Sequence, residues 1–446
     1  MKEVLSGNEA IARGAWEAGA TFASAYPGTP STEILEVTAA KYGKDICAQW
    51  SSNEKTALEC GFGASVAGAR TLVCMKHVGV NVAADPLFTA VYTGVKGGLV
   101  LVSADDPNLH SSQNEQDNRN YARFAKMPML EPSDSQEALE FTKAAFDISE
   151  AFDTPVLLRT TTRISHSKSV ATTGERETLP PLGEIGRDTK KYVMLPGHAK
   201  MRHPLVEERL KKLAELAETT PLNKIEWGDK AVGIVSSGIS YQYAKEAMPE
   251  ASFLKLGMTY PLPPNMVKAF ASKVKKLIVV EELDPFLEEQ IRLLGVEVSS
   301  GKNLFPLLGE LEPSRVKELL SGKKAEKKAP SEGLPIRPPV LCPGCSHRGV
   351  FTILKKLKVF VSGDIGCYTL AALPPLESMH TCLCMGASIT MAHGMSMVLP
   401  DSEELSGRIV AVIGDSTFFH SGITGLIDMI WNKGNAVVLI QDNRIT

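Results

Sequence analysis

Apolar residues along this chain fall into two alternating patterns: short unbroken runs, and longer stretches spaced for a helix face. Residues 7–19 read as a helix, Phe22-Ala23-Ser24-Ala25-Tyr26 as a short strand, and Pro27-Gly28-Thr29-Pro30 as a loop before a helix opening near Ser31-Thr32-Glu33. Gly98-Leu99-Val100-Leu101-Val102 and Thr154-Pro155-Val156-Leu157-Leu158 read as buried strands. Strands alternating with helices predict a mostly parallel sheet covered on both faces. From residue 164 to about 230 the periodicity weakens, and Pro180-Pro181 and Leu195-Pro196-Gly197 break it around one charged helix over 205–218. A second α/β block opens at Ala231-Val232-Gly233-Ile234-Val235, holds Leu277-Ile278-Val279-Val280 and ends near Leu320. A third runs from Val340 to Thr446.

These patterns divide the chain into residues 1–165, a connecting segment 166–230, a small α/β domain 231–321, a linker 322–339 and a final α/β domain 340–446. The fold class expected is α/β, with two doubly wound parallel-sheet domains and a smaller α/β domain between them. The linker carries a Lys-rich run, Lys323-Lys324-Ala325-Glu326-Lys327-Lys328, then several prolines. It has no interleaved aromatics and reads as a solvated spacer, not a nucleic-acid patch.

Composition adds little beyond size. The 446 residues are 43% hydrophobic and 22% charged, with a net charge of −3, so neither nucleic acid nor a membrane surface is indicated. The first twenty residues lack the apolar core of a secretion signal, and no run is long enough for a membrane helix, so a cytoplasmic location is expected. Cysteine placement does change the picture. Five of the eight cysteines lie between Cys342 and Cys384, and in a reducing compartment such clustering points to metal or redox chemistry. Cys47, Cys60 and Cys74 read as small apolar packing residues.

The C-terminal block carries the clearest chemistry. Arg408-Ile409-Val410-Ala411-Val412-Ile413 reads as a strand and runs into Gly414-Asp415-Ser416-Thr417; residues 422–433 read as a helix stopped by Gly434; Asn435-Ala436-Val437-Val438-Leu439-Ile440 reads as a second strand, ended by Gln441-Asp442-Asn443. This βαβ unit puts polar residues at the strand ends where parallel sheets bind ligands. Asp415, the Asn443 amide and the Ile445 carbonyl offer hard oxygen donors for magnesium, which a diphosphate requires. Gly414 permits close approach to a phosphate, and Ser416 can hydrogen-bond to it.

The spacing resembles the thiamine diphosphate motif Gly-Asp-Gly followed about 25 residues later by Asn-Asn, with Ser416 and Asp442 as departures. Thiamine activation requires a carboxylate on the aminopyrimidine ring. Glu54, at the head of an Ala/Gly-rich helix, fits that need better than Glu59. Tyr26-Pro27-Gly28-Thr29-Pro30-Ser31, Cys342-Pro343-Gly344-Cys345-Ser346-His347 and Ser362-Gly363-Asp364-Ile365-Gly366-Cys367 resemble segments of the 2-oxoacid:ferredoxin oxidoreductases. With Lys76-His77-Val78-Gly79-Val80-Asn81 and the domain order, the resemblance is to the alpha subunits of the indolepyruvate:ferredoxin oxidoreductase family.

That resemblance implies thiamine-dependent oxidative decarboxylation of aryl pyruvates to aryl-acetyl-CoA and CO2, with coenzyme A as co-substrate and ferredoxin as electron acceptor. It implies a smaller beta subunit and a homodimer of this chain within a heterotetramer. Glu54 would be the activator and Thr29 would face cofactor and substrate. Gly414, Asp415, Ser416, Asn443, Gly386, Ala387, His347 and Gly366 would surround the diphosphate, with magnesium on Asp415, Asn443 and Ile445. Cys342, Cys345 and Cys367 match three ligands of a [4Fe-4S] cluster; a fourth is not matched, and zinc or simple packing stay open. Where pyruvate-specific relatives carry an Arg, this chain has Ser103-Ala104-Asp105-Asp106, so pyruvate is not the expected substrate. Arg119, Arg123, Lys76 and His77 are the candidates for the substrate carboxylate. The chain is expected to lack a C-terminal ferredoxin-like region. A non-oxidative thiamine decarboxylase or carboligase, and a binding subunit with a degenerate site, are the alternatives.

Overall fold

The computed structural model describes residues 1–183, 185–322, 333–335, 337–399 and 408–444. The chain forms two compact units, Met1–Lys327 and Lys328–Thr446. Among the described residues no helix is long and apolar enough to cross a membrane.

The first unit is built on a seven-stranded sheet. Its spatial order is Met258–Tyr260, Met129–Leu130, Val156–Thr161, Leu99–Asp105, Thr71–Lys76, Phe22–Ala25 and Cys47–Trp50. All neighbours run parallel except Met258–Tyr260, which pairs antiparallel with Met129–Leu130. The central strands Thr71–Lys76, Leu99–Asp105 and Val156–Thr161 are buried at every position, which is why they read as unbroken apolar runs. Helix boundaries follow local chemistry. Gly7–Glu17 starts from a reciprocal capping box between Ser6 and Glu9. Glu54–Ala67 is capped by the Asn53 side chain, which accepts from the Thr56 N–H at 2.8 Å, and stops at Gly68 in the left-handed region.

A second sheet, in the order Lys276–Val280, Asp229–Ser236, Ala251–Lys255 and Lys224–Glu226, belongs to the same unit. Directly after this sheet's strand Ala251–Lys255 the chain crosses to the large sheet as Met258–Tyr260. One apolar cluster joins Met75, Leu101 and Leu157 to Leu254, Val279 and Phe286. Residues 1–165, 166–230 and 231–321 therefore share a compact body. The connecting segment contributes a 24-residue helix, Pro196–Thr219, longer than the charged stretch at 205–218 because Pro196 sits in its first turn, where a missing N–H costs nothing.

In the second unit the described sheet has three parallel strands in the order Phe360–Ser362, Ile409–Gly414 and Val437–Gln441. Between the last two strands the chain makes a short π-turn, Phe418–Gly422, and the helix Ile423–Trp431. The expected linker lies mostly outside the described residues.

Candidate functional site

In the first unit the sequence-picked residues gather at the C-terminal ends of parallel strands. The Tyr26–Pro30 loop follows Phe22–Ala25, the helix headed by Glu54 follows Cys47–Trp50, and His77 opens a helix directly after Thr71–Lys76. Glu54 is buried, and its carboxylate lies against Gly79. Glu59, five residues on, is exposed and paired with Lys55. Thr29 is exposed on a braced loop. The Gly28 N–H donates to Thr32 Oγ1 (2.9 Å), the Ser31 hydroxyl to the Gly28 carbonyl (2.8 Å), and Asn8 Nδ2 to the Pro30 carbonyl (2.7 Å).

The four cations considered for a substrate carboxylate separate sharply. Arg119 is fully buried, paired with Asp117 at 2.5 Å and Glu281 at 2.7 Å, far from any free valence. Arg123 lies exposed, 3.4 Å from Glu289. His77 is buried with Nε2 3.2 Å from both the carbonyl and the side-chain oxygen of Asn114. Lys76 is buried, donates to the Ser111 carbonyl, and stays at the strand-end edge. Burial lowers its pKa, and Asp106 works in the opposite direction. The Asp pair is equally divided. Asp105 is ion-paired to Arg159 at 2.9 Å, and burial raises its pKa against that pairing. Asp106 accepts from the Ser111 N–H, the Ser112 hydroxyl and the Thr162 hydroxyl at 2.8, 2.5 and 2.8 Å.

In the second unit, Gly414 and Gln441 are register partners on adjacent parallel strands. The register puts Asp415 and Asn443 just beyond one sheet edge. Ile445 lies outside the described residues. Tyr368 explains the glycine: the Gly414 N–H donates to its hydroxyl at 2.9 Å, and a Cβ on Gly414 would sit 3.0 Å from its ring. The Thr417 hydroxyl donates to the Ile365 carbonyl at 3.0 Å, tying the Gly366 loop to the same strand end.

His347 is buried near Asp415. Desolvation lowers its pKa, and the Asp415 charge opposes that. Its Nδ1 lies 3.4 Å from Cys345 Sγ and 3.6 Å from Cys367 Sγ. Burial and the neighbouring Cys345 and Cys342 raise the Cys367 pKa. Two thiols thus lie beside one imidazole, with Cys342 acting on Cys367 through its charge, while Cys382 and Cys384 feel Asp364 instead. Among the described residues no group of three or more His, Cys, Asp or Glu side chains is arranged to hold a metal ion. Of the remaining cysteines, Cys74 is in the core and Cys60 half-buried, but Cys47 is exposed on the edge strand, so it does not pack as expected.

Asp364 is a residue that sequence reasoning passed over. Its buried carboxylate accepts backbone N–H groups from Ile365 (2.8 Å), Gly386 (2.8 Å) and Ser388 (2.9 Å), and desolvation raises its pKa despite them. The Gly386 N–H is therefore spent on Asp364. Gly386 has φ +88°, and a Cβ there would collide with Ser421, so only glycine fits. Ala387 opens the helix Ala387–Val398 beside it. The available signal was the extra Asp inside the Ser-Gly-Ile-Gly-Cys pattern.

Comparison with known proteins gives two family matches. Residues 13–212 match the thiamine-diphosphate-binding model of pyruvate flavodoxin/ferredoxin oxidoreductases. Residues 364–446 match the C-terminal TPP-binding domain of thiamine pyrophosphate enzymes. The chain is 43% identical to the indolepyruvate oxidoreductase subunit IorA of Archaeoglobus fulgidus, covering 100% of this chain and 75% of that one. It is 41% identical to the IorA of Thermococcus kodakarensis over 99% of this chain and 75% of that one. A solved 2-oxoglutarate:ferredoxin oxidoreductase from Magnetococcus marinus shares the fold, with a TM-score of 0.57, 17% identity, and coverage of 72% of this chain and 65% of that one.

Proposed function

This chain belongs to the indolepyruvate oxidoreductase IorA family, and from that premise we propose that it carries the thiamine diphosphate site of a 2-oxoacid:ferredoxin oxidoreductase. The reaction is oxidative decarboxylation of an aryl pyruvate to an aryl-acetyl-CoA and CO2, with electrons passing to ferredoxin. The observation that carries this reading is the Gly414–Gln441 register, which aligns Asp415 and Asn443 at one sheet edge.

Thiamine diphosphate, when bound, supplies the electron sink that lets a 2-oxoacid lose CO2. Glu54 is the group assigned to exchange a proton with its aminopyrimidine ring. The buried position of its carboxylate suits that task, because a carboxylate away from bulk water holds a hydrogen bond more strongly. Thr29, exposed on its braced loop, is assigned to meet substrate. Gly414, Ser416, His347 and the Gly366 and Gly386–Ala387 turns are assigned to the diphosphate. Asp415 and Asn443 are hard oxygen donors that fit magnesium, with the Ile445 carbonyl as a third.

The thiols fit a standard four-thiolate cluster less well. Cys342, Cys345 and Cys367 neighbour one another, but Cys382 and Cys384 feel Asp364 instead, so no electron path is drawn through this chain. Membership of a subunit family supports partner subunits and ferredoxin as partners. A smaller beta subunit, a homodimer of this chain within a heterotetramer, and a cytoplasmic setting belong to the same proposal.

The test is an anaerobic assay of the assembled complex against a panel of 2-oxoacids, with coenzyme A and a one-electron dye. Aryl pyruvates are expected to reduce the dye and acylate coenzyme A. Aldehyde release without dye reduction would replace this reading with a non-oxidative decarboxylase.

A further inference from the structure

Lys76 is the one sequence-picked cation that keeps a buried ammonium at the substrate edge. The other buried cations of this unit are satisfied elsewhere. Arg70, Arg119, Arg159 and Lys255 each hold a carboxylate, at 2.8, 2.5, 2.7 and 2.5 Å. Arg209 donates to the Val91 and Asp153 carbonyls, under the helix Pro196–Thr219 and away from the strand ends. Lys76 is 8% exposed, and its ammonium donates to the Ser111 carbonyl. No ion pair of Lys76 occurs among the described residues, and Asp106 spends its oxygens on Ser111, Ser112 and Thr162. Asp106 therefore reaches Lys76 only through its field, and a buried ammonium with one neutral carbonyl for a direct partner keeps donors free for an anion.

Its position suits the substrate. A Cβ on Gly28 would lie 3.1 Å from Lys76 Cβ, so the loop that presents Thr29 rests on the lysine stem. Gly79, against which Glu54 lies, follows Lys76 by three residues. His77, next in sequence, braces the segment that carries Ser111 through Asn114.

We propose that Lys76 binds the carboxylate of the 2-oxoacid and so determines substrate charge, with the Ser111 carbonyl holding the ammonium when no substrate is bound. The inference rests on the reading that a 2-oxoacid reacts at this edge. Exchanging a neutral carbonyl for a carboxylate replaces an ordinary hydrogen bond by a charge-assisted one. The bound anion also restores the charge that burial disfavours.

The experiment compares two competitive inhibitors of the assembled holoenzyme, indole-3-propionate and its neutral amide. The wild-type enzyme is expected to favour the carboxylate by about tenfold or more, the size of one charged hydrogen bond. Lys76→Gln and Lys76→Met are expected to bring that preference within about threefold, with Lys76→Arg keeping part of it. Thiamine diphosphate affinity, measured by calorimetry in each variant, is expected to stay near the wild-type value. A Lys76→Met enzyme that binds thiamine diphosphate and still prefers the carboxylate overturns the assignment. Equal weakening of acid and amide also overturns it, because that is the mark of a packing role. Wild-type complex freed of cofactor that takes up no thiamine diphosphate removes the functional reading first, and the anchor with it.

Discussion

The carboxylate of Glu54 lies directly against the bare α-carbon of Gly79: a Cβ on that glycine would fall 2.6 Å from Glu54 Cγ and 2.7 Å from Oε1. Gly79 sits inside the helix His77–Val82, where glycine costs about 1 kcal/mol relative to alanine. The site accepts that cost to admit the carboxylate. Gly79→Ala is therefore expected to leave the fold intact, since the displaced atoms belong to a flexible side chain. Turnover is expected to fall by about 100-fold or more, the scale of a lost proton-transfer group. Thermal melting alongside the dye assay checks this, and a Gly79→Ala enzyme at full activity would separate Glu54 from catalysis.

Glu59 supplies the control on the same helix. It is exposed and paired with Lys55, one turn earlier, and exposed pairs of this kind contribute about 0.5 kcal/mol or less. Glu59→Gln is expected to keep turnover within about twofold of wild type, while Glu54→Gln loses about 100-fold or more. Equal losses in the two variants would contradict the choice between them.

The burial of Glu54 and the exposure of Glu59 were legible in sequence, because Glu54 heads a run of small residues whereas Glu59 falls five positions later on the opposite face. The placement of Asp415 and Asn443 beyond neighbouring strand ends was legible for a similar local reason: a βαβ unit fixes which ends adjoin. Long-range placement was not legible. Nothing near Arg119 in sequence announces Glu281, its partner 162 residues away. Nothing in Met258-Thr259-Tyr260 announces that it pairs with Met129–Leu130 and joins two sheets in one body. Asp364 was hidden differently: its three N–H donors come from residues 365, 386 and 388, and only the folded chain collects them.

Arg119 is consequently a stability residue. It is 1% exposed and holds two carboxylates, Asp117 and Glu281. Removing one partner of a buried ion pair leaves the other charges uncompensated, at about 3–5 kcal/mol. Arg119→Ala is expected to lower stability by that amount in urea unfolding. An Arg119→Ala protein with wild-type stability and a raised KM for indolepyruvate would return this residue to the substrate.

Asp364 makes the corresponding prediction in the second unit. Asp364→Ala leaves two buried N–H groups and one part-buried one without this acceptor, each buried one worth about 1–3 kcal/mol. The expected outcome is loss of protection in hydrogen exchange at the start of the helix Ala387–Val398. Asp364→Asn, which keeps one acceptor oxygen, is expected to lose less. Wild-type protection in both variants would show that the carboxylate is dispensable.

Glu282 carries a pH dependence. Burial pushes its pKa from 4.5 up to about 7, with the Leu311 N–H, donated at 2.8 Å, pulling the other way. Below pH 4.5 the side chain is protonated in folded and unfolded chains alike, and the full stability is present. As pH rises from there toward 7, the unfolded chain releases the proton while the folded one keeps it, so stability falls. The accumulated loss is about 3 kcal/mol, at 1.36 kcal/mol per unit, and it levels off above pH 7. Glu282→Gln keeps an acceptor for the Leu311 N–H and cannot ionise. Its stability relative to wild type is therefore expected to grow from near zero at about pH 4 to about 3 kcal/mol at pH 8. Urea unfolding at four pH values measures the trend, and a difference that stays constant across them would mean that Glu282 ionises as readily in the folded chain as in the unfolded one.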